Sequence, residues 1–87
     1  MKLILCPACQ DVVKAGLRET RFCQCGKSWG KYRDPLNAEY GGEAIPLGLL
    51  NNELRLAVLG QPQAGLGAQF TAFVIPKECP TYKKVPK

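Results

Sequence analysis

Four of the five cysteines fall in two close pairs, Cys6-Pro7-Ala8-Cys9 and Cys23-Gln24-Cys25, with thirteen residues between them. Thiolates are soft ligands, and two short turns that each present a pair supply the closed tetrahedron that Zn2+ favours. A turn of this kind curls backbone amides toward the sulfurs, which offsets part of their negative charge. Pro7 stiffens the first turn, and Gly26, just past the second pair, permits a positive φ. The chain has no histidine, which removes imidazole ligands, His-based triads and the commonest general base. The expected chemistry is one structural Zn2+ held by Cys6, Cys9, Cys23 and Cys25. A catalytic zinc needs an open coordination position, and four thiolates leave none. A redox Cys-x-x-Cys belongs at the start of a helix in a thioredoxin-like fold, and no such unit fits before residue 34. Iron in the same cage would make the chain an electron carrier, and that is the rival reading.

The remaining side chains carry weaker signals. Cys79 reads as a free thiol in a C-terminal turn; the competing reading puts it in the cage in place of one ligand. Phe22, Trp29 and Tyr32 lie among Arg21, Lys27, Lys31 and Arg33. Aromatics interleaved with cations stack bases and neutralise phosphates, so Arg21, Lys27, Trp29, Lys31 and Arg33 are the candidate nucleic-acid contacts. Against this, a cysteine ribbon with so little apolar material needs Phe22 and Trp29 inside. The glycine-bearing stretch 60–67 lacks the lysine and Ser/Thr of a P-loop and reads as a loop. The seven acids, Asp11, Glu19, Asp34, Glu39, Glu43, Glu53 and Glu78, are scattered and form no obvious carboxylate pair. No activated nucleophile is in view, so an enzyme is not expected.

The elements that position these residues are short. Segments 3–5, 11–14, 21–22 and 28–33 read as strands that enter and leave the cysteine turns, with Ala15-Gly16 as a turn. Residues 43–50 read as a strand, and Pro46 suggests a sheet edge. Asn51 is placed to cap a helix running to about Gly60 that buries Leu54, Ala57 and Val58; alternation of Leu54, Leu56 and Val58 leaves a strand as the competing reading. Residues 61–69 read as a loop and 69–75 as the clearest strand. The 87 residues suit a single domain of three parts: a cysteine ribbon (1–34), a strand-helix-strand part (35–76) and a basic, solvated tail (77–87). A chain this short buries little surface without help from a metal or disulfides.

Charge argues less than it first promises. The formal net charge is +5, with residues 1–34 at +4, residues 35–76 at −2 and residues 77–87 at +3. Four thiolates and one dication together add −2, leaving about +3, below what a dedicated nucleic-acid binder usually shows. The apolar run Leu3-Ile4-Leu5 before Cys6 is shorter than the ~7–15 residues of a signal h-region, and no stretch reaches the ~20 apolar residues of a membrane span. The expectation is a cytoplasmic protein with no membrane contact and with reduced or metal-bound cysteines.

Through Cys6, Cys9, Cys23, Cys25 and Gly26, residues 1–34 resemble a zinc ribbon, in which two knuckles at the ends of β-hairpins clasp one zinc. One departure is plain: the second knuckle of a ribbon is usually Cys-x-x-Cys-Gly, and here one residue is missing. The departure weakens the comparison with rubredoxin in particular. The whole chain also resembles a group of short bacterial and phage-type zinc-ribbon proteins through Cys6-Pro7-Ala8-Cys9, Ala44-Ile45-Pro46-Leu47-Gly48, Phe73-Val74-Ile75-Pro76 and Cys79-Pro80-Thr81; that likeness brings no function with it. The expected fold is small α+β, a zinc ribbon packed on a short antiparallel sheet with one short helix. The expected function is non-catalytic binding with zinc as scaffold. A protein partner, met by the apolar second half in an adaptor or modulator of a bacterial or phage machine, is the leading expectation, and nucleic acid is the alternative.

Overall fold

Each cysteine turn closes a hairpin, and the two hairpins start two different sheets. The computed structural model describes residues 1–86. Strands β1 (Lys2–Leu5) and β2 (Val12–Lys14) pair antiparallel, with Ile4 opposite Val13. Strands β3 (Arg21–Phe22) and β4 (Ser28–Tyr32) form the second hairpin, with Phe22 opposite Trp29. The chain continues through β5 (Ala38–Gly42), β6 (Ile45–Leu49), helix α1 (Asn51–Leu59), β7 (Ala72–Val74) and β8 (Tyr82–Lys84). One sheet runs β2-β1-β6-β7 and the other β3-β4-β5-β8. The fold is thus a small α+β arrangement of two four-stranded sheets and one short helix. Each sheet combines a cysteine hairpin with strands from the rest of the chain.

The passage between sheets is made at Ala15 and Gly16, both buried. The Ala15 amide donates to Lys2 in the first sheet (3.1 Å), and the Gly16 amide donates to Gly30 in the second (3.1 Å). Tyr32 then donates back to the Gly16 carbonyl (2.7 Å). A Cβ at Gly16 would collide with the Glu19 carbonyl, so the crossover accepts no side chain.

The core comprises Ile4, Ala38, Tyr40, Ala44, Ile75 and Tyr82, with Val13, Tyr32 and Cys79 packed against it. It is poor in large aliphatics, and tyrosine rings fill much of the space. Tyr82 is fully buried, meets Tyr40 edge-on at 5.0 Å between ring centres, and donates its hydroxyl to the Leu3 carbonyl at 2.9 Å. That bond satisfies a buried hydroxyl and ties the last strand to the first. Burial, followed by the charges of Tyr32 and Tyr40, pushes the Tyr82 phenol well above its ordinary range.

Phe22 and Trp29 do not complete the core. Phe22 is 55% exposed and Trp29 half-buried, because strand alternation gives the inner face of β4 to Ser28, Gly30 and Tyr32. Pro46 is not on an edge either: β6 lies between β1 and β7. The Pro46 carbonyl accepts from the Ile75 amide (2.9 Å), and its missing N–H falls just beyond the last β6–β7 pair, Leu47 with Val74. Leu54 and Ala57 of the helix are half-buried, whereas Val58 is 61% exposed. The N-cap is Leu50 and has no side-chain capping bond; Asn51 instead accepts from the Met1 ammonium (2.6 Å). Of residues 69–75, only Ala72–Val74 form a strand. In the basic segment the backbone of Tyr82–Lys84 pairs in parallel with β5, while the Lys83 and Lys84 side chains stay exposed; Lys87 lies outside the described residues.

Candidate metal centre

The site forms where the tips of the two hairpins meet. In the first tip the Cys6 amide donates to Asp11 (2.9 Å), and the Gln10 amide donates back to Cys6 (2.7 Å). In the second, the Cys23 amide donates to Ser28 (2.9 Å), and the Gly26 amide donates back to Cys23 (3.1 Å). Both loops therefore close between a cysteine and the residue five positions on. The second pair is shorter by one residue, and Lys27 after Gly26 restores the loop length. Each loop also has one residue with positive φ directly after its second cysteine: Gln10 at 63° and Gly26 at 81°. Gly26 adopts this conformation freely, while Gln10 pays a steric penalty for it.

The sulfurs of Cys6, Cys9, Cys23 and Cys25 all lie within 4.8 Å of one another. Cys6 and Cys25 are 3.7 Å apart, and Cys23 and Cys25 are 3.6 Å apart. A tetrahedron with metal–sulfur bonds of ~2.3 Å has edges of about 3.8 Å, so these two edges already have the length that a four-thiolate ion requires. The four cysteines are positioned to hold a single metal ion. Cys6 and Cys23 are buried, Cys9 is half-buried and Cys25 is exposed, which leaves one side of the cage open to solvent.

Electrostatics lead to the same donor set. The Ser28 hydroxyl, then the Cys9 and Ala8 amides, outweigh desolvation and hold the Cys6 thiol down to about 6. Ser28 Oγ is buried and makes no hydrogen bond in its present geometry; a hydroxyl beside a sulfur is completed by turning onto a thiolate. Cys25 goes the other way. The Lys27 amide favours its thiolate, but desolvation and the sulfurs of Cys23, Cys9 and Cys6 together push it up to about 12. Four thiols this close do not all ionise alone, because each thiolate raises the free energy of the next. A dication at their centre reverses that balance. The ordered amides, the waiting hydroxyl and the crowded sulfurs fit a metal.

Cys79 is not among these ligands. It packs against the core, and its sulfur lies 3.6 Å from Thr81 Oγ1. The candidate nucleic-acid contacts are dispersed by strand parity. Trp29 and Lys31 share the outer face of the second sheet, where the register aligns Lys31 with Glu39 and Glu39 with Lys83. Phe22, which the sequence assigned to the interior, joins Trp29 there. Lys27 lines a cleft beside Trp29 with Glu43, Val85 and Pro86. Arg33 is engaged by Glu39 at 3.3 Å, and Arg21 sits opposite Gly30, on the other parity from Phe22 and Trp29. Among the described residues, no helix is long and apolar enough to cross a membrane. No family model, curated protein or solved structure matches the chain.

Proposed function

We propose that the protein is a non-catalytic binding module of zinc-ribbon type, in which one Zn2+ clasps the two hairpin tips and so orders both sheets. The observation that carries this reading is the sulfur cluster, with edges of 3.6 and 3.7 Å on paired, amide-lined knuckles. Tetrahedral sulfur sites suit zinc or iron; the one-residue departure of the second knuckle from the rubredoxin pattern favours zinc. Bound there, the ion would link four thiolates and supply no open position for substrate. The partner is a protein, met by the outer face of the first sheet. Leu3, Val12, Leu47, Leu49, Ala72 and Val74 line an apolar groove of about 300 Å3 there. An apolar groove with no charged lining suits protein rather than phosphate.

Native mass spectrometry with elemental analysis tests the core of this reading. One zinc per chain is expected, lost in Cys6→Ser and retained in Cys79→Ser; iron in protein purified from its host, or zinc lost with Cys79, overturns it. A second reading rests on exposed Phe22 paired with half-buried Trp29, beside Lys31 and Lys83, a surface that suits stacked bases. Binding to single-stranded nucleic acid that weakens steeply with salt, and weakens further in Trp29→Ala, would favour that reading over the protein partner.

A further inference from the structure

The two sheets have four outer strands, and three of them are protected by charge. Strand β2 ends in exposed Lys14, β3 begins with exposed Arg21, and β8 carries exposed Lys83 and Lys84. Such residues blunt a sheet edge against pairing with another chain. Strand β7 is the exception. It lies in an uncharged run of 21 residues from Leu56 to Pro76, and all three of its residues are exposed. The Ile75 amide donates to Pro46, and the Leu50 amide donates to the Thr71 carbonyl, so residues 73 and 75 and the Thr71 carbonyl face β6, while the Thr71 amide and hydroxyl donate to Glu53 of the helix (3.1 and 2.7 Å). By alternation, the N–H and C=O groups of Ala72 and Val74 point away from the sheet.

We propose that β7 is a self-association edge, where a second copy of this chain pairs antiparallel and joins two four-stranded sheets into one of eight. A dyad through Phe73 sets Ala72 of each copy opposite Val74 of the other. That register allows four backbone hydrogen bonds between the outward groups and places the two Phe73 rings side by side. It also continues the apolar outer face across the junction, since Val74 lies beside Leu47 and Leu47 beside Leu3. Charge selects this edge. The chain is formally +5, and self-pairing at the other three outer strands brings lysines or arginines of both copies together, whereas β7 opposes only neutral residues. At and beside this edge, the exposed parts of Phe70, Phe73 and Val74 amount to on the order of 250 Å2 in each copy, so a pair of edges brings about 500 Å2 of apolar surface together, the scale of a small interface.

This inference rests on the reading above that the first sheet is the protein-binding part of the molecule, and takes its β7 edge to be met by a second copy. Sedimentation equilibrium on zinc-loaded protein, from about 1 to 200 µM, tests it, with native mass spectrometry reading zinc per chain on the same samples. A monomer–dimer equilibrium is expected. Val74→Lys, at a side chain 67% exposed, faces two lysines toward the junction and should weaken dimerisation at least tenfold. Ala72→Pro removes one outward donor per copy and should weaken it similarly. Both variants should keep one zinc per chain, which shows that they fold. A monomer across the whole range, or a dimer indifferent to both substitutions, overturns the proposal; the metal content separately decides the zinc reading.

Discussion

Removing the metal should dissolve both sheets, not only the hairpin tips. Strand β1 runs into Cys6 and is an inner strand of the first sheet, flanked by β2 and β6; β4 follows Cys25 and is an inner strand of the second, flanked by β3 and β5. The core between them is small, with Ile4 and Tyr82 its only large apolar side chains below 2% exposure among the described residues, apart from the ligand Cys6. A domain of this size has about 4–13 kcal/mol of stability at the usual 0.05–0.15 per residue. A structural zinc contributes ~10–16 kcal/mol of apparent binding energy at neutral pH. The two ranges overlap, so the folded state has little or nothing left once the ion is gone. The assay is far-UV circular dichroism with emission from the single tryptophan, before and after a strong chelator, supported by amide exchange at Tyr40 and Gly48. Loss of strand signal, a red shift of Trp29 and exchange in both sheets are expected. An unchanged spectrum and unchanged emission after elemental analysis shows complete metal removal would refute the reasoning.

Three substitutions extend the test. Gly26→Ala places a side chain at φ 81°, costs about 1–2 kcal/mol, and should weaken zinc binding roughly 5–30-fold in a chelator competition; Gln10→Gly relieves the equivalent position and should leave affinity within about threefold or improve it. Gly41→Ala drives a methyl into the Trp29 ring, should cost about 1–3 kcal/mol, and should shift tryptophan emission, whereas Gly48→Ala meets Phe73 instead and should destabilise without that shift. Ser28→Ala removes the leading influence that lowers the Cys6 thiol. A thiol lowered from 9.0 to about 6 by folding contributes stability that is complete above the unfolded value and lost as pH falls through about 6. The variant should therefore release zinc at a higher pH in an acid titration followed with a metal indicator; an unmoved midpoint would contradict the role given to the hydroxyl.

What the sequence made legible follows from how local each signal is. The four ligands and the need for Gly26 are readable because two adjacent turns encode them, and α1 is readable from a periodic apolar run. Gln10 gives no such signal: nothing in its chemistry announces a positive φ, and only the matched loop closure at Asp11 and Ser28 reveals it. Strand β5, Ala38–Gly42, has two glycines and one β-favouring side chain, Tyr40, so propensity is silent; the strand exists because β4 and β8 pair on its two sides. Strand β8 is likewise imposed from outside, since a lysine-rich segment holds Tyr82, the most deeply buried of the core tyrosines. Scarcity of apolar residues argues for burying Trp29 and Phe22, but register decides which parity faces inward, and it turns both to the outer face.

The bond from Tyr82 to Leu3 has a consequence for the order of folding. It spans 79 positions, whereas the Cys6 and Cys25 sulfurs are separated by only 19. Closing a longer loop costs more chain entropy before any contact rewards it. With an ion bound, its capture by the short loop would be the early event, and it would set β1 and β4 side by side as a template. The parallel arrival of β8 and insertion of the Tyr82 ring come last and complete the core. A cell short of the ion would accumulate chains stalled before that final step, with both inner strands still seeking neighbours.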